Sequence, residues 1–197
     1  VSAHIYIEGA ESKQDQILCR QAFSKLFEKA GFAGRLPRTT ACGSRNAAFG
    51  DFCTRHSTAG AGDFIALLID SEDPLRDLNA AWSHLHRRDG WQRPAGASDE
   101  QVLFMTTCME SWIAADRPTL RRVYGAQLQE SALPPLHDLE GRPRHEVLDA
   151  LVHATRECTN KYRKGRRSFL ILGELEPGAL QALPSFARAF QILDRRL

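Results

Sequence analysis

The chain contains no long apolar run. Its longest, Phe64-Ile65-Ala66-Leu67-Leu68-Ile69, is the size of a strand, whereas a membrane-spanning helix needs about 20 residues. No membrane contact is expected. The first residues, Val1-Ser2-Ala3-His4, lack the basic and apolar blocks of a signal peptide, so a cytoplasmic protein is expected. Cysteine is sparse and scattered: Cys19, Cys42, Cys53, Cys108 and Cys158 are odd in number and form no Cys-x-x-Cys pair. That argues against a disulfide framework and for reduced thiols in or near a core. An excess of one charge sign is missing too. The 26 basic and 24 acidic residues leave a formal charge of +2, so only the distribution of charge can point to a nucleic-acid partner.

Several catalytic motifs are also missing. No Gly-x-x-x-x-Gly-Lys-Ser/Thr loop exists, and ATP hydrolysis by this chain is not expected. Gly43-Ser44-Arg45-Asn46 is not a nucleophile elbow; Ser44 reads as a helix cap. His84-Leu85-His86 lacks the flanking cysteines or acids of a zinc motif. Gly31-Phe32-Ala33-Gly34 reads as a helix stop rather than a phosphate cradle. Trp82, Trp91 and Trp112 read as packing residues.

What is present is an alternation of strand and helix patterns. His4–Ile7 reads as a strand. Leu18, Ala22 and Leu26 have helical spacing, with Gly31 as a stop. Arg38–Cys42 reads as a second strand and Asn46–His56 as a second helix. Phe64–Ile69, apolar throughout, suits a buried central strand of a parallel sheet. Helix is predicted over Asp77–Leu85, strand over Val102–Thr106 and helix over Met109–Ala115. After Pro118 the pattern changes: Glu146–Glu157 is amphipathic through Val147, Leu148, Leu151 and Val152, and Phe186, Phe190, Leu193 and Leu197 share one face of a last helix. The expected fold is α/β, a Rossmann-like parallel four-stranded sheet flanked by helices, with a helical C-terminal third. The expected organisation is a core over residues 1–125 with a helical extension over 126–197 packed on it, one domain overall. The length of 197 residues suits this.

Two acidic positions follow strands. Glu8 follows the first, and Asp70 and Glu72 follow the third. Ligands of open parallel sheets bind outside the carboxyl ends of the strands. Residues two apart in an extended segment point the same way, so Asp70 and Glu72 are able to share a ligand. Converging carboxylates suit hard cations such as Mg²⁺ and phosphoryl chemistry. Each acid alone is equally at home capping a helix or in solvent. Lys161-Tyr162-Arg163-Lys164-Gly165-Arg166-Arg167 has five basic residues and one aromatic. It suits phosphate neutralisation and base stacking, with Lys164 able to stabilise charge in phosphoryl transfer. A solvated basic turn at a helix end reads equally from the same residues.

Ile7-Glu8-Gly9 and Leu68-Ile69-Asp70-Ser71-Glu72 resemble the two signature segments of TOPRIM domains, shared by topoisomerases, bacterial primases and OLD-type nucleases. The chain more closely resembles a bacterial TOPRIM-like family encoded beside AAA/ABC-type ATPases in defence loci. Ala41-Cys42-Gly43-Ser44-Arg45-Asn46, Arg88-Asp89-Gly90-Trp91, Cys108-Met109-Glu110-Ser111-Trp112 and Lys164-Gly165-Arg166-Arg167-Ser168-Phe169 carry that likeness, which covers nearly the whole chain. It implies a TOPRIM-like fold and metal ligation by Glu8, Asp70 and Glu72, with Glu72 where a second Asp is usual and Asp73 as its rival. It also implies an acidic position near the metal at Glu110, which otherwise reads as a helix N-terminal acid.

The function implied is metal-dependent hydrolysis of DNA or RNA with Mg²⁺ or Mn²⁺, in an anti-phage system with an ATPase partner. Glu8, Asp70, Glu72 and Lys164 would be catalytic. Lys161, Arg163, Lys164, Arg166 and Arg167 would contact nucleic acid. No tyrosine has a topoisomerase-like context. The alternatives are a non-catalytic TOPRIM-shaped subunit that regulates the ATPase, and a small-molecule phosphotransferase.

Overall fold

Every residue of Phe64–Asp70 (β3) is buried, which an apolar strand tolerates only when both faces of its sheet are covered. A computed structural model, describing residues 2–9 and 12–197, places β3 inside a four-stranded sheet. Its partners are Ala3–Glu8 (β1), Arg38–Cys42 (β2) and Val102–Met105 (β4). The order is β2-β1-β3-β4, and each pairing is parallel. Register runs Ile7 to Leu68 between β1 and β3, and Asp70 to Met105 between β3 and β4. The fold is α/β and Rossmann-like.

Lys13–Phe27 (α1) and Arg45–Ser57 (α2) supply the crossovers. Ser12 and Ser44 cap them through their side chains, accepting from Asp15 N and Ala47 N. The chain leaves α1 through one wide turn in which Gly31 has φ 95°, a left-handed value that favours glycine. The third helix differs from expectation: it is Ala81–Asp89 (α3), not 77–85. Asp77 turns back on itself, its side chain accepting from Asn79 N and its carbonyl from Ala80 N. This local turn competes with helix. The helix begins where Asp99 accepts from Trp82 N and stops at left-handed Gly90.

Met109–Ala115 (α4) lies where the sequence places it and is buried throughout. Pro118 lies in the first turn of Arg117–Tyr124 (α5), which Asp116 caps at Thr119 N. Arg144–Ala154 (α6) ends earlier than predicted, and Val152 is exposed rather than inward-facing. Arg166–Leu172 (α7), inside the basic segment, is not predicted. Pro177–Leu180 (α8) and Pro184–Arg196 (α9) complete the chain. One hydrophobic core joins β1, β3 and α1 to these later helices, with Phe27, Phe32, Trp112, Phe186 and Phe190 in mutual ring contact. A second cluster on the other sheet face packs Phe52, Trp82 and Trp91. All five cysteines are free, and all but Cys53 are buried. Among the described residues no helix is long and apolar enough to cross a membrane.

Candidate functional site

The strand order decides where a ligand has room. From β1 the chain crosses to β2 on one side; from β2 it returns past β1 to β3 on the other. The connections that leave β1 and β3 therefore diverge, and it is at the carboxyl ends of two such strands that open α/β sheets bind ligands. Glu8 is the last residue of β1, and Asp70 the last of β3. The geometry brings them to one edge of the sheet, on neighbouring strands. Gly9, with φ 115°, turns the chain away directly after Glu8 in a conformation other residues rarely adopt.

Asp70 is buried. Its Oδ1 accepts from Met109 N–H at 2.9 Å, at the start of α4. Its Oδ2 lies 3.9 Å from Lys164 Nζ, and Glu110 Oε2 lies 4.0 Å from the same ammonium. Glu110 is buried, with 1% exposure. Tyr162 O–H donates to Glu110 Oε1 at 2.8 Å. With that proton committed, Ser168 Oγ, 2.6 Å away, donates to the Tyr162 oxygen. Two buried carboxylates thus share one half-exposed lysine. Burial pushes the Asp70 carboxyl well above its ordinary range, and the charges of Glu110 and Glu8 push it further. Burial opposes the charge on Lys164, but Glu110 and Asp70 outweigh it and raise its pKa.

Glu8 has a different partner. Arg45 Nη1 donates to Glu8 Oε2 at 2.9 Å and to the Asp70 carbonyl at 2.6 Å. The other side of the same guanidinium grips both oxygens of Asp89 at 3.0 and 2.9 Å, and its plane rests on Trp91. Burial raises the Glu8 pKa, with Arg45 opposing. Arg45 and Asp89 lie in segments that carry the family likeness, but nothing local assigns them a role. They are 44 residues apart, and only the fold joins them.

Glu72 departs from the expected arrangement. The strand ends at Asp70, and Glu72 sits at φ 70°, so the rule that alternate residues of an extended chain face one way does not apply. Its carboxylate pairs with Arg144 and lies 3.5 Å from Arg88. It is nevertheless mostly buried, whereas the Asp73 side chain is 67% exposed. Among the described residues, no group of three or more His, Cys, Asp or Glu side chains is arranged to hold a metal ion. The physical reason is visible in the pairing: Glu8, Asp70, Glu72 and Glu110 each face a basic side chain.

The basic segment reaches these carboxylates through Lys164. Lys161, Arg163, Lys164, Arg166 and Arg167 all line one open hollow of about 450 Å³, with Leu170 at its side. Tyr162 does not line it. Buried to 1% and bonded to Glu110, it holds the segment to the core and offers no ring to a base. The three tryptophans are buried. His84 is buried against the Ser71 carbonyl at 2.9 Å. Burial, with Glu110 and Asp70 nearby, raises the Cys108 thiol pKa, so it supplies no thiolate nucleophile at neutral pH.

A family model described as a domain of unknown function (DUF4276) matches residues 7–194. The chain belongs to that family. No curated protein and no solved structure matches it. The matched span includes Glu8, Asp70, Glu110 and the basic segment, so all the site's residues lie within one family domain.

Proposed function

We propose that this family member is a TOPRIM-like, Mg²⁺- or Mn²⁺-dependent nuclease that hydrolyses phosphodiester bonds of DNA or RNA. The observation that carries the reading is the shared position of Lys164. It faces the buried carboxylates of Asp70 and Glu110 at the sheet's ligand edge, and it also lines the basic hollow. Acids for a hard cation and bases for phosphates thus meet at one residue.

The donor set suits such a cation in kind and charge, and its carboxylates would leave their basic partners to converge on it. Six carboxylates (Glu8, Asp70, Glu72, Asp73, Asp89 and Glu110) are linked to only four bases, Arg45, Arg88, Arg144 and Lys164. The two-charge deficit matches a divalent ion, and carboxylate oxygens are its preferred donors. Asp70, Glu8 and Glu110 would hold it, with Glu72 adjoining. When bound, it supplies concentrated positive charge at the phosphate being cut. Lys164 binds a phosphate oxygen, Arg45 keeps Glu8 in place, and the basic segment orients the strand.

The test is cleavage of labelled single- and double-stranded DNA and RNA with Mg²⁺ or Mn²⁺, against EDTA. Asp70→Ala and Glu8→Ala should each abolish metal-dependent cleavage while leaving the folded spectrum unchanged. Activity retained by both variants refutes the assignment. The alternative is a non-catalytic subunit regulating an AAA/ABC-type ATPase. The pairing of every site carboxylate with a base favours it, and no cleavage by wild type with or without the ATPase would establish it. An ATPase partner and an anti-phage role rest on the family likeness, and recovery of the ATPase in a pull-down from the native host supports them.

A further inference from the structure

The basic hollow does not end at the active site. Arg166 belongs both to it and to a smaller hollow formed with Gln14, Ile17 and Leu18 of α1. Ile17 in turn belongs to a third, larger open groove, of about 840 Å³, between α1 and the edge strand β2. Each hollow shares one lining residue with the next, Arg166 and then Ile17, so the three follow one another along the surface as a track. The far groove carries Arg20, Lys25 and Arg38, with Glu28 its lone acid. The walls of the whole track carry eight basic side chains and that single acid, with Asp70 and Glu110 beside Lys164 and Glu174 beside Lys25, in a chain whose 26 bases and 24 acids otherwise nearly cancel.

These charges are also largely uncommitted. Among the described residues Arg20, Arg38, Lys161, Arg163, Arg166 and Arg167 form no ion pair; Lys25 makes a long, exposed one to Glu174. Elsewhere this protein pairs its arginines extensively, as at Arg35, Arg121, Arg195 and Arg196. Unpaired like charges held side by side repel, and a polyanion relieves that cost. Among the described residues, three of the five exposed large hydrophobic side chains, Leu170, Ile17 and Leu36, lie on the track between the bases.

We propose that a single-stranded nucleic acid runs from the Lys164 cleft over Arg166 and along α1 to Arg20, Lys25 and Arg38 beside β2. The inference rests on the nuclease reading for the near end and extends it to a second, distal binding region. A single strand fits the mixture of bases and bare aliphatic side chains, because its unpaired bases cover apolar surface while its phosphates meet the cations. A duplex presents only its phosphate surface to such a face and would leave Ile17 and Leu36 in water. The stretch of α1 from Gln14 to Phe27 adds about 20 Å at 1.5 Å per residue, so only a strand of several nucleotides reaches the far groove.

The experiment compares wild type with the triple variant Arg20→Ala/Lys25→Ala/Arg38→Ala, all surface positions remote from the carboxylates. Fluorescence anisotropy measures binding of a short oligonucleotide, a long single strand and a blunt duplex across a salt series, in EDTA so that cleavage plays no part. The expected result for the long strand is roughly ten-fold weaker binding and a salt slope flattened by about two, with the short oligonucleotide bound as by wild type. An equal loss for short and long strands, or an unchanged slope, overturns the path. Stronger wild-type binding to the duplex than to the long strand also overturns it, as does no binding of either. Because the readout is binding, a protein that follows the path but cuts nothing would refute the nuclease reading alone.

Discussion

Replacing Asp70 by asparagine should make the folded protein more stable near neutral pH. Asparagine keeps an oxygen for the Met109 N–H and removes one of two buried negative charges facing Lys164. Lys164 Nζ is 3.9 Å from Asp70, and at an effective dielectric of about 20 a pair at that distance attracts by roughly 4 kcal/mol before desolvation. The lysine side chain is 51% exposed, so solvent screening removes much of this attraction. It is also shared with Glu110. Against it stands a desolvation cost of several kcal/mol for an enclosed carboxylate. The expected net gain is on the order of 1–2 kcal/mol, or roughly 2–8 °C in Tm for a chain of this size.

The pH dependence gives this prediction its sign. Burial, Glu110 and Glu8 raise the folded-state pKa of Asp70, so the folded state keeps a proton that the unfolded chain releases near about pH 4. Ionising Asp70 therefore costs stability as pH rises through and above that value. The advantage of Asp70→Asn should be absent at about pH 4 and grow toward neutrality, saturating above the folded pKa. Thermal unfolding followed by circular dichroism in EDTA, over a pH series, measures it. Excess Mg²⁺ should narrow the gap by stabilising wild type alone, by about 2.7 kcal/mol at a hundred times Kd. A lower Tm for the asparagine variant at neutral pH, or a difference that ignores pH, would refute the claim that the site holds surplus negative charge.

Tyr162→Phe keeps the ring but withdraws the proton given to Glu110; chemical denaturation should show a loss of about 1–3 kcal/mol. Arg45→Lys cannot bridge Glu8 and both oxygens of Asp89 together. It should lower stability by about 3–5 kcal/mol, and a loss below 1 kcal/mol in the same assay would count against a built guanidinium site. Glu72→Gln should weaken Mg²⁺ binding, measured by calorimetry, far less than Asp70→Ala does, because Glu72 faces Arg88 and Arg144. Lys164→Ala/Arg166→Ala/Arg167→Ala should flatten the salt dependence of oligonucleotide binding by about 0.7 per lost phosphate contact.

The sheet was legible because its signals are local. A continuous apolar run marks β3, and Ser44 ahead of α2 marks its start. The placement of Glu8 and Asp70 at the carboxyl ends of strands followed from the strand and helix alternation, whereas the neighbouring position of those strands came from the TOPRIM likeness. Contacts across long separations were hidden. Arg45 with Asp89, and Tyr162 with Glu110, join residues 44 and 52 apart, and no short-range pattern encodes such pairs. Tyr162 shows the limit most clearly: an aromatic among five bases reads as a stacking platform until the fold buries it. Glu72 shows another, since a single left-handed residue cancels the strand rule that paired it with Asp70. The helix at 166–172 was masked by the basic run in which it starts.

Lys164 ties two equilibria together. It stands between two buried acids and an open basic hollow. A phosphate that draws its ammonium outward leaves Asp70 and Glu110 facing each other with less compensation. Any positive charge those acids then accept is held more tightly, and reciprocity requires that the same charge, bound first, free the lysine for the phosphate by an equal factor. In the proposed reading, anion and cation binding are therefore linked through one side chain, and neither ligand's affinity would have a single value until the concentration of the other is stated.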